Sequence, residues 1–435
     1  MESEPKHPRP IQLLLSNRGE ALATPPAPEH YPHDYLWDSY FSAIVFARFG
    51  YSREAVTELF NVFNNQRPDG FIPNMQFAAN GRRWDMERFS FNSWENSSEY
   101  TQPPLGAVSV AETYTALKKD ALAEANLLLD EIYPSLKDSY QYFIDQRQNS
   151  PTDPLIGIIH PHETGRDSDP IFDFAKTLRW PRNGEATNRW IDRYNTVADY
   201  AGAMAINLVN KASRWDLAKS REHFWVNDIM LNCIYVDNLY EMATLARDAG
   251  QFKDMGDFYM QAQRVEQQLL SRMWFSETQD VKGAFYALGP DGPIKEVSIG
   301  NLFPLILPNL KESQLESTLN LMDSSFNTPF PLPSVATDSP NYDPHYQEKG
   351  RLWRGPTWIN TNWYLTVRGL KRQASKPSLN QHRPDLVYRC LAWSDQITAA
   401  SQSLVERGYY EFYDPITGQG QRVKDFSWST LADTM

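Results

Sequence analysis

The loop at 160–174 holds the densest group of side chains that could do chemistry. Its sequence, HPHETGRDSDPIFDF, sets two histidines and four carboxylates among turn-forming residues. One of these carboxyls could act as a general acid if burial raises its pKa. The Asp-Ser-Asp-Pro run is also typical of ordinary turns and caps, so spacing alone leaves both roles open. His160, His162 and Glu163 are possible ligands for a divalent metal. No second His or Asp cluster accompanies them, and we predict no metal site.

A second carboxylate stands in an aromatic setting near the C-terminus. The segment GYYEFYDPITGQGQ (408–421) places Glu411 among three tyrosines and a phenylalanine. Glycoside hydrolysis needs one carboxyl to protonate the leaving oxygen and another to activate water or attack the anomeric carbon. A carboxylate from the first loop and Glu411 would make such a pair. They are 244 positions apart (411 − 167), so they meet only if the chain closes into a ring. A surface hairpin is the alternative role of the second segment.

Aromatic and polar residues at three further places could hold a sugar. RLWRGPTW (351–358) sets Trp353, Arg354 and Trp358 around a Gly-Pro turn, which suits a clamp on a sugar ring. The same turn could instead begin a helix, with Pro356 near its first position.

The other two places lie earlier in the chain. YPHDYLWDSYF (31–41) contains Tyr35, Trp37 and Asp38. Asp38 could bind ligand hydroxyls or be favoured by a helix dipole. Gln102 precedes two prolines, so its backbone is extended and its amide could point into a pocket.

Helices that come in pairs must position these residues. In 53–65, Val56, Leu59, Phe60 and Phe63 share one helical face, with Ser52 as a candidate N-cap. Gly50 and Gly250 suit left-handed helix ends. Further helices are predicted at 107–119, 121–146, 193–212, 226–249, 255–273, 311–323, 358–371 and 383–406. Strand signals are few, such as 284–287.

Long loops alternate with the helix pairs. They are predicted at about 66–104, 147–192, 275–300, 324–357 and 407–426. Loops of this length in a compact domain are usually functional. The pattern predicts a mostly α protein, a closed ring of α-hairpins with the loops at one rim and minor β structure. We predict a single domain over 1–435.

The composition narrows the class of partner and compartment. There are 54 acidic and 42 basic residues, a net charge of −12, together with 13 Trp, 22 Tyr and 22 Phe. Nucleic-acid binding needs a basic footprint, so we predict no nucleic-acid partner. Cys233 and Cys390 form no disulfide or zinc pattern, the N-terminus lacks signal-peptide character, and no apolar run reaches 18 residues. These features predict a cytoplasmic protein without membrane partners.

The motifs taken together resemble glycoside hydrolase family 63, and most of all its short mannosylglycerate and glucosylglycerate hydrolase branch. The resemblance runs from about Tyr31 to Trp428 and rests on ETGRDSDP, WRGPTW, EFYDPITG and FSW in family order. YLWDSYF also looks like trehalase, from a neighbouring family. The resemblance implies an (α/α)6 barrel that cleaves α-glycosides with inversion and without a metal or organic cofactor.

The resemblance also assigns roles to residues. The family's general acid falls on Asp167 and its general base on Glu411, which in an inverting enzyme lie roughly 6.5–9.5 Å apart. The matching sugar-binding positions are Tyr35, Trp37, Asp38, Gln102, Trp353, Arg354, Gly355 and Trp358. His162, Glu163 and Gly165, in the acid's own segment, are further candidate substrate-binding residues.

Three positions depart from the glycerate-specific branch. Leu352 replaces an aromatic residue before W-R-G-P, Phe426 replaces a polar residue before the late S-W, and His162 replaces a tryptophan. The expected substrate is therefore a small α-glucoside or α-mannoside, with the sugar glycerates among the candidates. The alternatives are a non-hydrolytic α-toroid enzyme, such as an epimerase or lyase, and a sugar-binding protein. The oligomeric state is left open.

Overall fold

The computed structural model describes residues 7–19, 23–78, 92–94, 96–177, 198–278, 282–347 and 351–435. Most of its elements are helical. The α-helices are α1 (Arg9–Asn17), α2 (Leu36–Arg48), α3 (Ser52–Asn64), α4 (Gly106–Asp120), α5 (Leu122–Tyr142), α6 (Ala198–Ala212), α7 (Leu217–His223), α8 (Ile229–Asp248), α9 (Phe252–Arg272), α10 (Glu312–Ser325), α11 (Ile359–Trp363), α12 (Lys371–Ala374), α13 (Pro377–His382) and α14 (Pro384–Glu406).

Shorter helical segments and short strands complete the described elements. The 3-10 helices are Pro161–Thr164, Pro170–Thr177, Ile299–Ile306 and Ser427–Thr434, and π-helical turns extend α5 over Phe143–Arg147 and α11 over Tyr364–Leu370. The strands are β1 (Asp34–Tyr35), β2 (Met75–Gln76), β3 (Asn92–Trp94), β4 (Ser97–Ser98), β5 (Gln148–Ser150), β6 (Asp153–Ile156), β7 (Trp274–Phe275), β8 (Ala284–Phe285), β9 (Leu288–Gly289), β10 (Gly292–Pro293), β11 (Tyr410–Tyr413) and β12 (Gly420–Lys424). They form small antiparallel sheets, the largest in the order β1-β2-β4-β3.

Six helical elements of the described chain pack side by side in a closed ring. In chain order they are α2, α4, α8, Ile299–Ile306, α11 with its π-helical continuation, and Ser427–Thr434, and the last of them packs back on α2. An outer helix covers each one: α3, α5, α9, α10, α14 and α1, in the same order. The predicted mostly α barrel of helical hairpins is confirmed.

The sequence distinguishes inner from outer helices. From Leu36 to Ala47, α2 buries every residue, because it faces the ring interior on one side and its outer partner on the other. The outer helix α9 buries a single stripe that includes Phe258, Val265 and Leu269. An apolar stripe on an otherwise polar helix is typical of the outside of such a ring.

The predicted helix ends are partly right. Gly50 and Gly250 have φ of +79° and +72° and terminate α2 and α8 as expected. Ser52 is the first residue of α3, and no side chain caps that helix, so its prediction as the N-cap is wrong. Pro356 lies before Trp358, the N-cap of α11, and is not at its first turn.

The remaining predicted elements differ in detail. The first five residues of the predicted helix 193–212 lie outside the described residues. Parts of every predicted loop except 407–426 also lie outside them. The predicted strand at 284–287 is shorter, ending at Phe285. Two inner-ring members, Ile299–Ile306 and Ser427–Thr434, were not predicted, because each is an eight-residue 3-10 helix without a 3.6-residue repeat to detect.

The buried apolar side chains form one large cluster, which runs from Ile11 to Ala432, beside a small one at Met75, Phe77, Tyr100 and Ile159. On this ground we propose that 1–435 is one domain. None of the helices that the structure describes is long and apolar enough to cross a lipid bilayer.

Candidate active site

Trp37, in the first turn of α2, is the side chain around which the predicted site loops gather. Its backbone N–H is one of the helix-start donors that lack an intrahelical partner, and it donates to Oε1 of Gln102 (3.0 Å). Its indole lies against Gly165, where a Cβ atom would come within 2.4 Å of the ring. The same indole contacts Trp353 and Trp428, at centroid distances of 6.4 and 5.6 Å. Gln102 and Gly165 therefore act in the site by fixing Trp37.

Arg166 anchors the loop that carries Asp167. Its guanidinium is fully buried, forms an ion pair with Asp169, and lies 2.5 Å from Oδ2 of Asp228. It also donates to Oγ of Ser298 (3.1 Å). Asp228 is the N-cap of α8, and Ser298 precedes the 3-10 helix Ile299–Ile306. The residue beside the proposed acid is thus tied to the starts of two inner-ring helices.

The loop at 351–358 joins the acid loop to the strand that carries Glu411. Trp353 N donates to Oγ of Ser168 (3.0 Å), and Arg354 Nε donates to the carbonyl of Ser168 (2.7 Å). At its other end, Thr357 exchanges two backbone hydrogen bonds with Tyr413 in β11. Ring closure therefore does bring the two distant carboxylate segments together.

The two tryptophans of this loop do not form a clamp. The rings of Trp353 and Trp358 stack on each other with centroids 3.8 Å apart and planes 4° apart. A sugar cannot enter between rings already in contact, so the predicted clamp is wrong. Both side chains are buried, and they form one aromatic wall with Trp37 and Trp428. The indole N–H of Trp358 is buried without a protein acceptor among the described residues.

Glu411 lies in β11 with only 2% of its surface exposed. Its Oε1 accepts hydrogen bonds from the Tyr31 hydroxyl (2.9 Å) and from Nη1 of Arg422 (2.7 Å). Its Oε2 is buried and has no protein partner in the described part of the chain. Burial raises the pKa of Glu411 to about 7, against the lowering effect of Arg422, and the charge of Asp167 adds to the increase. One oxygen is thus held by the protein while the other is left for a ligand.

Asp38 is a second buried carboxyl beside Glu411. Burial raises its pKa well above the ordinary range, and the charge of Glu411 raises it further. Its Oδ1 is also buried without a protein partner in the described chain. A buried polar atom without a protein partner is open to a hydrogen bond from a ligand or water, and the described chain also has such atoms elsewhere, for example Oγ of Ser220 on α7. Asp38, Glu411 and Trp358 each contribute one at this site.

Asp167 is more exposed than Glu411 and Asp38, with 27% of its side-chain surface accessible. Its Oδ2 lies 3.7 Å from Nε2 of His162. Burial and, to a smaller extent, the charge of Asp167 raise the pKa of Glu411. Tyr35, at the start of α2, lies edge-on to Tyr31, the tyrosine that binds Glu411.

Some predicted binding residues support the structure instead. Glu163 is fully buried, and its oxygens accept from both terminal nitrogens of Arg147 and from the backbone N–H groups of Thr101 and Ile159. Its prediction as a substrate-binding residue is therefore wrong. The guanidinium of Arg354 binds Asp173 through both terminal nitrogens (2.8 and 2.5 Å) and ties two loops together.

Gly355 also has a packing role. A Cβ atom there would come within 2.6 Å of the backbone of Asp343. Its N–H is already engaged by Oγ of Ser334 (2.8 Å). Only glycine allows this approach, which fixes the turn between Trp353 and Trp358.

Sequence reasoning missed the direct partners of Glu411. The neighbouring tyrosines suggested its aromatic setting, yet Tyr409 donates to Asp433 and Tyr413 to the Gly408 carbonyl. The tyrosine that binds it, Tyr31, is 380 residues away in the chain. Arg422 was missed as well. The sequence could have indicated it only as a basic residue on the second strand of a possible hairpin.

The histidine-rich loop does not gather metal ligands. Glu163 is occupied by Arg147, and Nε2 of His160 binds the Ala203 carbonyl (3.0 Å). The described residues contain no group of three or more His, Cys, Asp or Glu side chains suited to a metal ion. The chemistry that the geometry supports is acid–base work by carboxyl groups against an aromatic wall.

Comparisons with known proteins identify the family of the chain. The "Mannosylglycerate hydrolase MGH1-like glycoside hydrolase domain" matches residues 31–429. A mannosylglycerate hydrolase from Rubrobacter radiotolerans is 25% identical, over 98% of this chain and 97% of its own.

Solved structures give the same result for the fold. The family 63 mannosylglycerate hydrolase from Thermus thermophilus, in complex with Tris and D-glycerate, superposes with a TM-score of 0.82 at 24% identity, covering 98% of this chain and 99% of that one. Its complex with glucose gives 0.79 at 25% identity, covering 99% and 100%. The family match spans most of the chain, and the ring of helical hairpins is shared. The chain therefore belongs to the mannosylglycerate hydrolase MGH1-like glycoside hydrolases of family 63, as its motifs predict.

Proposed function

We propose that this enzyme hydrolyses a small α-mannoside or α-glucoside, with Asp167 as general acid and Glu411 as general base. The observation that carries the proposal is the state of Glu411, with one oxygen held by Tyr31 and Arg422 and the other buried with no partner among the residues that the structure describes. A base that must take a proton from water needs such a free, oriented oxygen.

The sugar would lie against the wall formed by Trp37, Trp353, Trp358 and Trp428. The apolar face of a pyranose packs on aromatic rings, and its hydroxyls need polar partners. Oδ1 of Asp38 and the indole N–H of Trp358 have no partner within the described ranges and are suited to such hydroxyls. Tyr35 and Gln102 stay candidates for binding or shaping this subsite.

The aglycone is the finer part of the proposal. Relatives bear the name mannosylglycerate hydrolase, and D-glycerate occupies one of their structures. Here Leu352 and Phe426 are buried apolar residues, and Phe426 packs on Trp428 and Tyr31. We therefore include mannosylglycerate and glucosylglycerate in a wider set of small α-glycosides.

The compartment we propose is the cytoplasm. Cys233 and Cys390 are both free and buried, which fits a reducing environment.

The test combines a substrate screen with two isosteric variants. Purified enzyme is assayed on mannosylglycerate, glucosylglycerate, simple α-mannosides and α-glucosides, and trehalose. We expect Asp167→Asn and Glu411→Gln each to lower kcat on the best substrate by about 10²–10⁴-fold while binding, measured by calorimetry, persists. Near-wild-type turnover in either variant would refute that residue's role.

Product stereochemistry checks the mechanism separately. Proton NMR during the first minutes should show the β-anomer of the released sugar, since water enters opposite the leaving group. An α-anomer as first product would exclude inversion. Binding of several sugars without turnover of any of them would support the sugar-binding alternative.

A further inference from the structure

His162 faces the proposed general acid from the same loop. Its Nε2 lies 3.7 Å from Oδ2 of Asp167, within ion-pair distance. A general acid must carry its proton at the working pH, and burial or a neighbouring group usually ensures this. Asp167 is 27% exposed, in contrast to the buried Glu411. His162 is the group placed to hold the proton of Asp167.

His160 determines which nitrogen of His162 is directed at Asp167. The Nε2 of His160 lies 3.0 Å from the Ala203 carbonyl, which can only accept, so this nitrogen carries the hydrogen. Burial lowers the pKa of His160 well below the ordinary range, and the charge of His162 lowers it further, so its ring is neutral and its Nδ1 is an acceptor. Tyr100 stacks on the ring at 4.4 Å and fixes its plane.

That acceptor in turn orients His162. Nδ1 of His160 accepts from the backbone N–H of His162 (3.1 Å) and lies 3.0 Å from its Nδ1. The Nδ1 of His162 must therefore carry a hydrogen. Its Nε2 is left facing Asp167, as a lone pair in the neutral ring or as a donor in the cation. The two histidines thus form an oriented chain that ends at the proposed acid.

We propose that His162 is a positioning residue for the general acid, and that it holds one proton together with Asp167. This inference rests on the proposed role of Asp167. In the reaction, the proton of the pair passes through Asp167 to the glycosidic oxygen as the bond to the anomeric carbon breaks. Water adds to that carbon and gives its proton to Glu411, which releases it to solvent once the product has left. The pair is left as a neutral imidazole and a carboxylate, and it regains a proton from solvent, which reaches both side chains.

The leaving group distinguishes this role from a structural one. An α-glycosyl fluoride departs without protonation, whereas an alkyl α-glycoside of the same sugar requires it. We expect His162→Gln to lower kcat on the alkyl glycoside about tenfold, with KM nearly unchanged and fluoride hydrolysis within about threefold of wild type. His162→Phe should show the same selectivity, and its fluoride turnover reports directly that the fold and Glu411 are intact. His382, an exposed residue that ends α13, provides the control His382→Gln, for which both substrates should behave as in wild type.

Asp167→Asn in the same assay separates the two proposals. If Asp167→Asn keeps alkyl-glycoside turnover, the assignment of the acid is wrong. If Asp167→Asn loses it selectively while both His162 variants match wild type, only the inference about His162 is overturned. Equal losses on both substrates in the His162 variants would also overturn it, because a merely structural role would affect both reactions.

Discussion

The electrostatic balance at Glu411, the proposed base, involves its burial and the nearby guanidinium of Arg422. Burial raises the pKa of this carboxyl and the guanidinium of Arg422 lowers it, with a net pKa of about 7. Arg422 also lies over the ring of Tyr31, the other donor to Glu411. Burial and Arg422 therefore act in opposite directions on the ionisation of Glu411, and Arg422 favours the charged form that a general base needs.

Replacing Arg422 should move the pH profile in a known direction. Glu411 must be ionised to act, so the acid limb of kcat/KM follows its pKa. In Arg422→Gln the guanidinium no longer lowers the pKa of Glu411, so that pKa rises and the acid limb should move to higher pH by about one unit. The Arg422 side chain is 32% exposed, and solvent therefore keeps this shift small for a charge pair.

Arg422→Lys is the control, because it keeps the positive charge and should leave the limb near its wild-type position. A limb that stays in place or moves to lower pH in Arg422→Gln would contradict the assigned base or its pairing.

For single residues, the sequence predicts which side chains belong to the candidate site better than it predicts which side chains bind them. Local patterns predict one carboxyl of the loop 160–174, Glu411 and Asp38 as candidates, and the family resemblance narrows the predicted acid to Asp167 and the predicted base to Glu411. Tyr31 and Arg422 bind Glu411 across the fold, and nothing local distinguishes them from other tyrosines and arginines. Glu163 was misassigned because its partner Arg147, whose two terminal nitrogens bind it, lies outside the motif.

Among the elements, the hairpin β11–β12 aims Arg422 by an irregularity in its register. Tyr410 pairs with Lys424 but Phe412 pairs with Gln421, so β12 contains one extra residue. Arg422 lies in this bulge with φ of +62°, a conformation that costs an L-residue energy. A bulge re-aims a side chain, and here the guanidinium reaches the carboxylate across the hairpin.

The loop at 160–174, which carries Asp167, also depends on a residue with a positive φ. Gly165 has φ of +70°, and a Cβ atom there would overlap the Trp37 indole at 2.4 Å. We expect Gly165→Ala to displace Trp37 and to lower both kcat and the free energy of unfolding, the latter by more than the roughly 1–2 kcal/mol that left-handed backbone costs.

Gly250→Ala is a matched control for that strain. Gly250 has φ of +72° with no atom within 4 Å of the Cβ position. It should lose stability from backbone strain alone and keep wild-type kcat. Urea unfolding and steady-state kinetics on both variants test this, and identical behaviour would rule out the Trp37 contact as the cause.

Helix periodicity predicted most of the ring, because long amphipathic helices repeat their pattern over several turns. It failed at Ile299–Ile306 and Ser427–Thr434, where the inner wall is a single short 3-10 helix. Pro304 interrupts the first of these helices. The second follows the last long helix, and its sequence offers only the short motif FSW. Their place in the ring is determined by tertiary packing.

For the molecule as a whole, the ring is closed by the last described residues. Nη1 of Arg48, at the end of α2, donates to the carbonyl of Thr434 (2.8 Å), and the Trp363 indole donates to its hydroxyl (2.9 Å). The same 3-10 helix carries Trp428, whose indole N–H donates to the carbonyl of Glu411 (2.9 Å). Closure of the fold and placement of the base thus share one segment.

Leu431 tests that link, since it is fully buried in the closing segment and carries no polar atom on its side chain. We expect Leu431→Ala to lower the free energy of unfolding by about 2–5 kcal/mol, as truncation of a buried leucine leaves a cavity. Because the cavity lies beside Trp428 in the chain, kcat should fall in protein that is still folded.

Leu391→Ala, at a leucine with 46% exposure on α14, should change stability by no more than about 0.5 kcal/mol and leave kcat unchanged. Urea titration followed by circular dichroism, with kinetics in the native baseline, measures both quantities. If Leu431→Ala loses stability but retains full kcat, ring closure and the position of Glu411, the proposed base, are independent, and the contacts with Tyr31 and Arg422 suffice to hold its carboxylate.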